Sequence, residues 1–311
     1  MSNILFTNYC NNNCAYCFAD GKMNQKKENL SFDNLVNILD FHEKSGIYAI
    51  SILGGEPTLH PCFPNMLGFI SKRKFHIALF TNGIIPEKSI DALMHLPKES
   101  INIIININEK INYPYKNWKL LQENLEKIHE KASLSFNLYN IDFDYRFPVD
   151  IVRGFNLIKK IRLGIAQPLL DGKNTFISEE GFPVLSQKIL KLLEYADNYN
   201  IKVGFDCGFS FCMFDDEQIK ELYSFGAVAP FKCGPAIDIG TDLSVWPCFP
   251  LYKIASKRLP DFKNIQEIKD HFEKILYRTK DKIIPSKCRS CDYFQNKLCS
   301  GGCLARIINL Q

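Results

Sequence analysis

The sequence has no apolar run near the ~18 residues that a membrane-spanning helix needs. Such a helix is therefore excluded, and no membrane partner is expected. Net charge is also scarce. A formal +4 over 311 residues is too mild to imply nucleic acid. The basic clusters Lys72-Arg73-Lys74 and Lys159-Lys160 are too short to track phosphates and mark solvated helix ends. No signal-peptide pattern opens the chain, because Met1 leads straight into an apolar segment. A secreted disulfide framework is not expected, and a cytoplasmic setting is. No internal repeat or low-complexity linker interrupts the chain. Its length suits one large α/β domain with a smaller one attached.

What the chain does have is cysteine, twelve in all. Without secretory features, these point to metal or redox chemistry. Cys10, Cys14 and Cys17 stand in the run Asn8-Tyr9-Cys10-Asn11-Asn12-Asn13-Cys14-Ala15-Tyr16-Cys17-Phe18, a C-x3-C-x2-C spacing after the short strand Ile4-Leu5-Phe6. Three thiolates on a tight loop can hold three corners of a [4Fe–4S] cluster. Such clusters usually take four cysteines, so one iron is left free to bind something else. The competing reading is a structural zinc knuckle. That site wants four ligands, and no histidine lies nearby.

The triad, with the aromatic Tyr16 before its third cysteine, resembles the radical S-adenosylmethionine (radical SAM) superfamily. The resemblance implies that the free iron chelates the amino and carboxylate groups of SAM. It also implies that the reduced cluster cleaves SAM to a 5′-deoxyadenosyl radical. Gly54-Gly55-Glu56-Pro57, after Ala49-Ile50-Ser51-Ile52-Leu53, is similar to the family's GGE motif. There the glycines let the backbone come close, and the carboxylate suits an ammonium. Thr81-Asn82-Gly83 resembles a further family element at the end of the third strand. By the same resemblance Asn106, Asn108 and Asn137 touch the ribose or carboxylate of SAM. The plainer alternatives are a turn at Gly83 and a polar strand face at the asparagines.

Strand-like segments at 3–7, 48–53, 75–81, 101–107, 132–139 and 161–166 are β-branched or aromatic-rich. Helical patterns fall between and after them, at about 32–46, 64–73, 87–95, 117–131, 149–159 and 181–199. Ser31 can cap the first helix, and Pro61 and Pro64 stand where the second can start. The alternation predicts an α/β fold with a parallel sheet and right-handed crossovers. Six units cannot close an eight-fold barrel. They resemble the open (β/α)6 partial barrel of radical SAM enzymes, with ligands at the carboxyl ends of the strands. Residues 1–210 are assigned to this partial barrel and 226–311 to a smaller cysteine-rich domain. Residues 201–205 are a seventh strand or the lead-out, and an amphipathic helix is expected at 264–277.

Cys233, Cys248, Cys288, Cys291, Cys299 and Cys303 lie in the last third, the final four as C-x2-C-x7-C-x3-C. The pattern resembles the SPASM or shortened "twitch" extension of peptide-modifying radical SAM enzymes, which binds one or two auxiliary Fe–S clusters. The resemblance implies one cluster on Cys233, Cys248 and Cys303 and another on Cys288, Cys291 and Cys299. Cys207 or Cys212 could supply a missing ligand, donate a hydrogen atom near the radical, or be an inert core residue. A zinc ribbon on the last four cysteines is the alternative. Cys62, beside Phe63, reads as a small buried hydrophobe.

These features predict a radical SAM enzyme whose substrate is a peptide or protein side chain, or else a small molecule. It would need an electron donor such as ferredoxin or flavodoxin. Phe249 follows Cys248, where sulfatase-maturing relatives carry an acidic residue, which argues against that activity. The rival from another class is a metal-stapled scaffold or electron carrier that leaves SAM intact.

Overall fold

The computed structural model describes residues 2–19, 27–169, 174–227 and 231–309. Its first two thirds alternate strand and helix. In order these are β1 (Asn3–Leu5), α1 (Phe32–Lys44), β2 (Ala49–Leu53), α2 (Phe63–Lys72), β3 (His76–Thr81), α3 (Glu87–His95), β4 (Ile101–Ile107) and α4 (Tyr115–Ile128). They continue with β5 (Ala132–Leu138), α5 (Phe147–Gly154), β6 (Lys160–Ile165), α6 (Phe182–Asp197) and β7 (Lys202–Phe205). Each of these strands pairs in parallel with the next. Residues 202–205 are thus a seventh parallel strand rather than a lead-out.

Side-chain alternation explains the layers. On β4, Ile101, Ile103, Ile105 and Ile107 are buried in the core beneath the helices. Ala132, Leu134, Phe136 and Leu138 do the same on β5, and Ile161, Leu163 and Ile165 on β6. Each large apolar side chain so buried contributes about 1.5–3 kcal/mol. The alternate residues, Asn106, Ser135, Asn137 and Arg162 among them, face the concave side. Helices answer with matching stripes, as in α4, where Trp118, Leu121, Leu125 and Ile128 are buried. Caps follow the sequence: Ser31 Oγ accepts from the Asn34 N–H at 3.1 Å, and Pro64 occupies the first turn of α2. The fifth helix is shorter than its pattern because Asn156 turns left-handed at φ +49° just beyond it.

The remaining elements are α7 (Asp216–Ser224), β8 (Asp238–Ile239), β9 (Ser244–Trp246), β10 (Lys257–Arg258), α8 (Ile265–Ile283), α9 (Ser286–Arg289), α10 (Asp292–Gln295) and α11 (Leu304–Asn309). The eighth helix starts where expected, capped by Asn264, but runs on until Pro285 forbids its continuation. β8 pairs in parallel with the free edge of β1, and Asn3 Nδ2 donates to Asp238 Oδ1 at 2.6 Å. The sheet order is therefore β10-β9-β8-β1-β2-β3-β4-β5-β6-β7, an unclosed barrel with the C-terminal strands added at its first edge. Parallel strands end on one rim, so the loops after β1 to β7 gather there. No helix among the described residues is long and apolar enough to cross a membrane.

Candidate active site

The cysteine loop springs from the end of β1. Amide N–H groups aim at its sulfurs. The Asn12 backbone N–H reaches Cys10 Sγ at 3.4 Å, and Asn12 Nδ2 reaches Cys14 Sγ at 3.5 Å. Asn108 Nδ2 donates to Cys14 Sγ at 3.5 Å and Asn82 Nδ2 to Cys10 Sγ at 3.8 Å. Burial is the main cause that pushes the Cys10 thiol up to about 12; Glu56, Cys14 and Cys17 add negative charge. Burial also raises Cys14. Three crowded thiolates need a compensating cation, and their N–H partners suit sulfur ligands. The donor set therefore fits an iron–sulfur cluster.

The GGE turn lies directly against this loop. Gly55 N–H donates to the Thr7 carbonyl at 2.8 Å, and Glu56 N–H to that of Tyr9 at 2.8 Å. A methyl group on Gly54 would strike the Thr7 carbonyl, and one on Gly55 the Tyr9 carbonyl and the Cys10 nitrogen. These glycines exist because two backbones touch.

Glu56 is tied closely into the protein. Its side chain is fully buried and accepts four hydrogen bonds from protein donors. Oε1 accepts from the Thr58 N–H at 3.1 Å, the Thr58 hydroxyl at 2.6 Å and the Thr81 hydroxyl at 2.8 Å. Oε2 accepts from the Asn82 N–H at 2.7 Å. Desolvation raises its pKa, and these hydrogen bonds oppose the rise. Through these bonds Glu56 bolts the turn after β2, including Pro57, to the end of β3. Asn82 likewise serves the loop, its Nδ2 donating to Asn11 Oδ1 at 2.8 Å.

The other predicted polar residues do meet. Tyr16 is buried, and its hydroxyl donates to Asn108 Oδ1 at 2.8 Å and accepts from Asn106 Nδ2 at 3.2 Å. Asn137 Nδ2 donates to Asn106 Oδ1 at 2.7 Å. A chain of hydrogen bonds thus runs from β5 through β4 to Cys14. Sequence reasoning missed Tyr113, whose hydroxyl accepts from the Asn108 N–H at 2.9 Å. It also missed Tyr139, whose ring lies 4.9 Å from that of Tyr16. Only the period of two from Asn137 hints at Tyr139. Register sets Asn106, Ser135 and Arg162 in one row across β4, β5 and β6. Arg162, also missed, pairs with Asp206 at 2.5 Å and lies 5.0 Å from the Phe80 ring.

The C-terminal cysteines do not form one ribbon. Cys233 and Cys303 act on each other, which lowers Cys233 and raises Cys303 from the usual thiol range. The charges of Cys233 and Cys207 act on half-buried Cys248. Cys288, in contrast, feels Cys212, Cys299 and Cys291. Cys303 is thus set apart from the three cysteines that precede it. Among the described residues, no three Cys, His, Asp or Glu side chains stand close enough for a single metal ion. A lone zinc would draw its thiolates to within about 4 Å of one another, given ~2.3 Å bonds. Cys62 is exposed, not buried, because it caps the first turn of α2 and leaves Phe63 to enter the core.

Residues 4–142, which span the triad, the GGE turn and the asparagines of β4 and β5, match the family described as "Radical SAM superfamily". Over these residues the chain matches the radical SAM superfamily. That family uses a [4Fe–4S] cluster and SAM. A probable GTP 3',8-cyclase of Methanococcus maripaludis is 29% identical over 105 residues, 33% of this chain and 35% of that protein. The chain thus spans about a third of the length of that curated relative. Among solved structures, Streptococcus suis SuiB bound to S-adenosylmethionine matches with TM-score 0.68 and 18% identity over 97% of this chain and 72% of that one. Native anSMEcpe with bound AdoMet matches with TM-score 0.70 and 16% identity, over 98% and 89% of the two chains. At such identities the likeness establishes the fold, including the cysteine-rich last third.

Proposed function

We propose that this protein cleaves SAM reductively and uses the radical to abstract hydrogen from a peptide or protein side chain. The observation that carries the substrate class is the extent of the structural likeness. SuiB is also solved with its precursor peptide SuiA, and anSMEcpe with a Cp18Cys peptide. Both matches run through the cysteine-rich last third, whereas the match to the cyclase covers only 33% of this chain. That cyclase match favours the second reading, a small-molecule substrate.

The cluster and SAM together supply the 5′-deoxyadenosyl radical when bound, with an electron from a donor such as ferredoxin or flavodoxin. The chain's own residues do the positioning. Cys10, Cys14 and Cys17 hold the cluster, and the Gly54–Glu56 turn clamps their loop. Tyr16, Asn106, Asn108 and Asn137 form a buried amide network beside it. The Asn106, Ser135 and Arg162 row offers a polar surface on the concave face. Buried aromatic and amide walls exclude water, which a reactive radical requires.

The substrate class is tested with two probes under reducing, anaerobic conditions with SAM. One is a tryptic digest of uniformly deuterated protein; the other is GTP. Mass spectrometry should find deuterium in 5′-deoxyadenosine from the digest, while GTP is left unconsumed. GTP conversion without deuterium transfer would transfer the protein to the small-molecule reading.

A further inference from the structure

Setting aside the N-terminal triad and Cys62, eight cysteines remain. We propose that Cys207 completes a cluster with Cys233, Cys248 and Cys303, and that Cys212 completes a second with Cys288, Cys291 and Cys299. This rests on reading the C-terminal cysteines as iron–sulfur ligands.

The fold ties each of these two cysteines to its own group. Cys207 leaves the end of β7, and Gly208 turns the chain there at φ +105°. Gln167 Nε2 donates to the Gly208 carbonyl at 3.3 Å, and Gln167 Oε1 accepts from Arg306 Nε at 3.0 Å. Arg306 is buried on α11, three residues beyond Cys303, and its Nη1 also donates to the Ile177 carbonyl at 2.8 Å. One polar bridge therefore links the neighbours of Cys207 and Cys303.

Cys212 is anchored elsewhere. The preceding Phe211 stacks on Tyr293 at 4.2 Å and 7°, and packs 3.8 Å from Phe231. Tyr293 lies between Cys291 and Cys299, and its carbonyl accepts from the Cys299 N–H at 3.0 Å. Its hydroxyl donates to Asp216 Oδ1 at 3.2 Å, just after the turn that carries Cys212. The stack sets Cys212 against the Cys288–Cys299 loop. The charge of Cys233 acts on Cys207, and that of Cys212 acts on Cys288 and also on Arg306.

Four thiolates per group match the usual ligation of a [4Fe–4S] cluster. Neither auxiliary cluster then has an open iron for substrate. Cys207 and Cys212 are ligands, not hydrogen-atom donors to the substrate radical.

The test uses full-length protein with Cys10, Cys14 and Cys17 replaced by Ala, reconstituted anaerobically. It should carry about eight irons and eight sulfides per chain, four of each per cubane. Its reduced EPR signals should not move when cyanide is added, because no iron is open. Adding Cys212→Ala should lower the iron content or make one of the two signals sensitive to cyanide. Adding Cys207→Ala should affect the other signal. Zinc in place of iron would overturn the cluster reading itself, and the proposal with it. Iron retained in the triple variant, with Cys212→Ala leaving content and both signals unchanged, would overturn the Cys212 assignment alone. A cyanide-sensitive signal before any further substitution would also overturn it, whether or not the Cys212 variant folds.

Discussion

Glu56→Ala lowers the stability of the protein by about 3–5 kcal/mol. The substitution strips four buried donors of their acceptor: the N–H groups of Thr58 and Asn82 and the hydroxyls of Thr58 and Thr81. The hydroxyls can rotate to other partners, but the two N–H groups cannot. Each orphaned group costs about 1–3 kcal/mol, and the void adds to this. Against a typical total of about 5–15 kcal/mol, the loss is severe. The urea midpoint should fall steeply in Glu56→Ala. It should fall less in Glu56→Gln, which keeps the shape and one acceptor oxygen. Had Glu56 been offered to an ammonium, Glu56→Ala would instead keep wild-type stability and lose SAM affinity. Wild-type stability in that variant would refute the bolt.

Gly55→Ala empties the N-terminal cluster site. The added methyl meets the Tyr9 carbonyl and lies 2.9 Å from the Cys10 nitrogen. All of these are backbone atoms, so no side chain can yield, and the cysteine loop itself must shift. Overpacking of this kind costs about 1–3 kcal/mol in stability. Its larger effect is on three ligands that must meet one cluster. Iron should fall by about one cluster per chain, four irons. Gly68→Ala is the control. Nothing lies within 4 Å of its added methyl, in the middle of α2. It should gain about 0.5–1 kcal/mol and keep its iron. Full iron and an unchanged N-terminal EPR signal in Gly55→Ala would show that the close approach is not required.

The six main strands were legible because their isoleucine, leucine and phenylalanine runs alternate over five to seven residues in β2 to β6 and the loops between them carry turn residues. β8, β9 and β10 span only two or three residues, too few for any period to show. β7 stood undecided because Gly204 interrupts a four-residue strand. In the site, ligand spacing exposed the triad, since its chemistry is local in sequence. Tyr113, Tyr139, Arg162 and Asp206 were silent, because only strand register and loop closure bring them together. Glu56 shows a further limit. Its position after a strand was read correctly, but a sequence does not say whether a carboxylate faces a ligand or four buried donors. Cys207 and Cys212 left three roles open for a similar reason. Their partners lie some 26 residues or more away along the chain, and only packing sorts one from the other.

The central claim is that the loop of Cys10, Cys14 and Cys17 drives reductive cleavage of SAM. The most direct measurement is 5′-deoxyadenosine and methionine formed from SAM by the anaerobically reconstituted, dithionite-reduced protein. Wild-type protein should form both in equal amounts, and the variant with all three cysteines replaced by Ala should form neither while keeping its other iron. Cleavage undiminished in that variant, or none in a fully reconstituted wild type, would contradict the account.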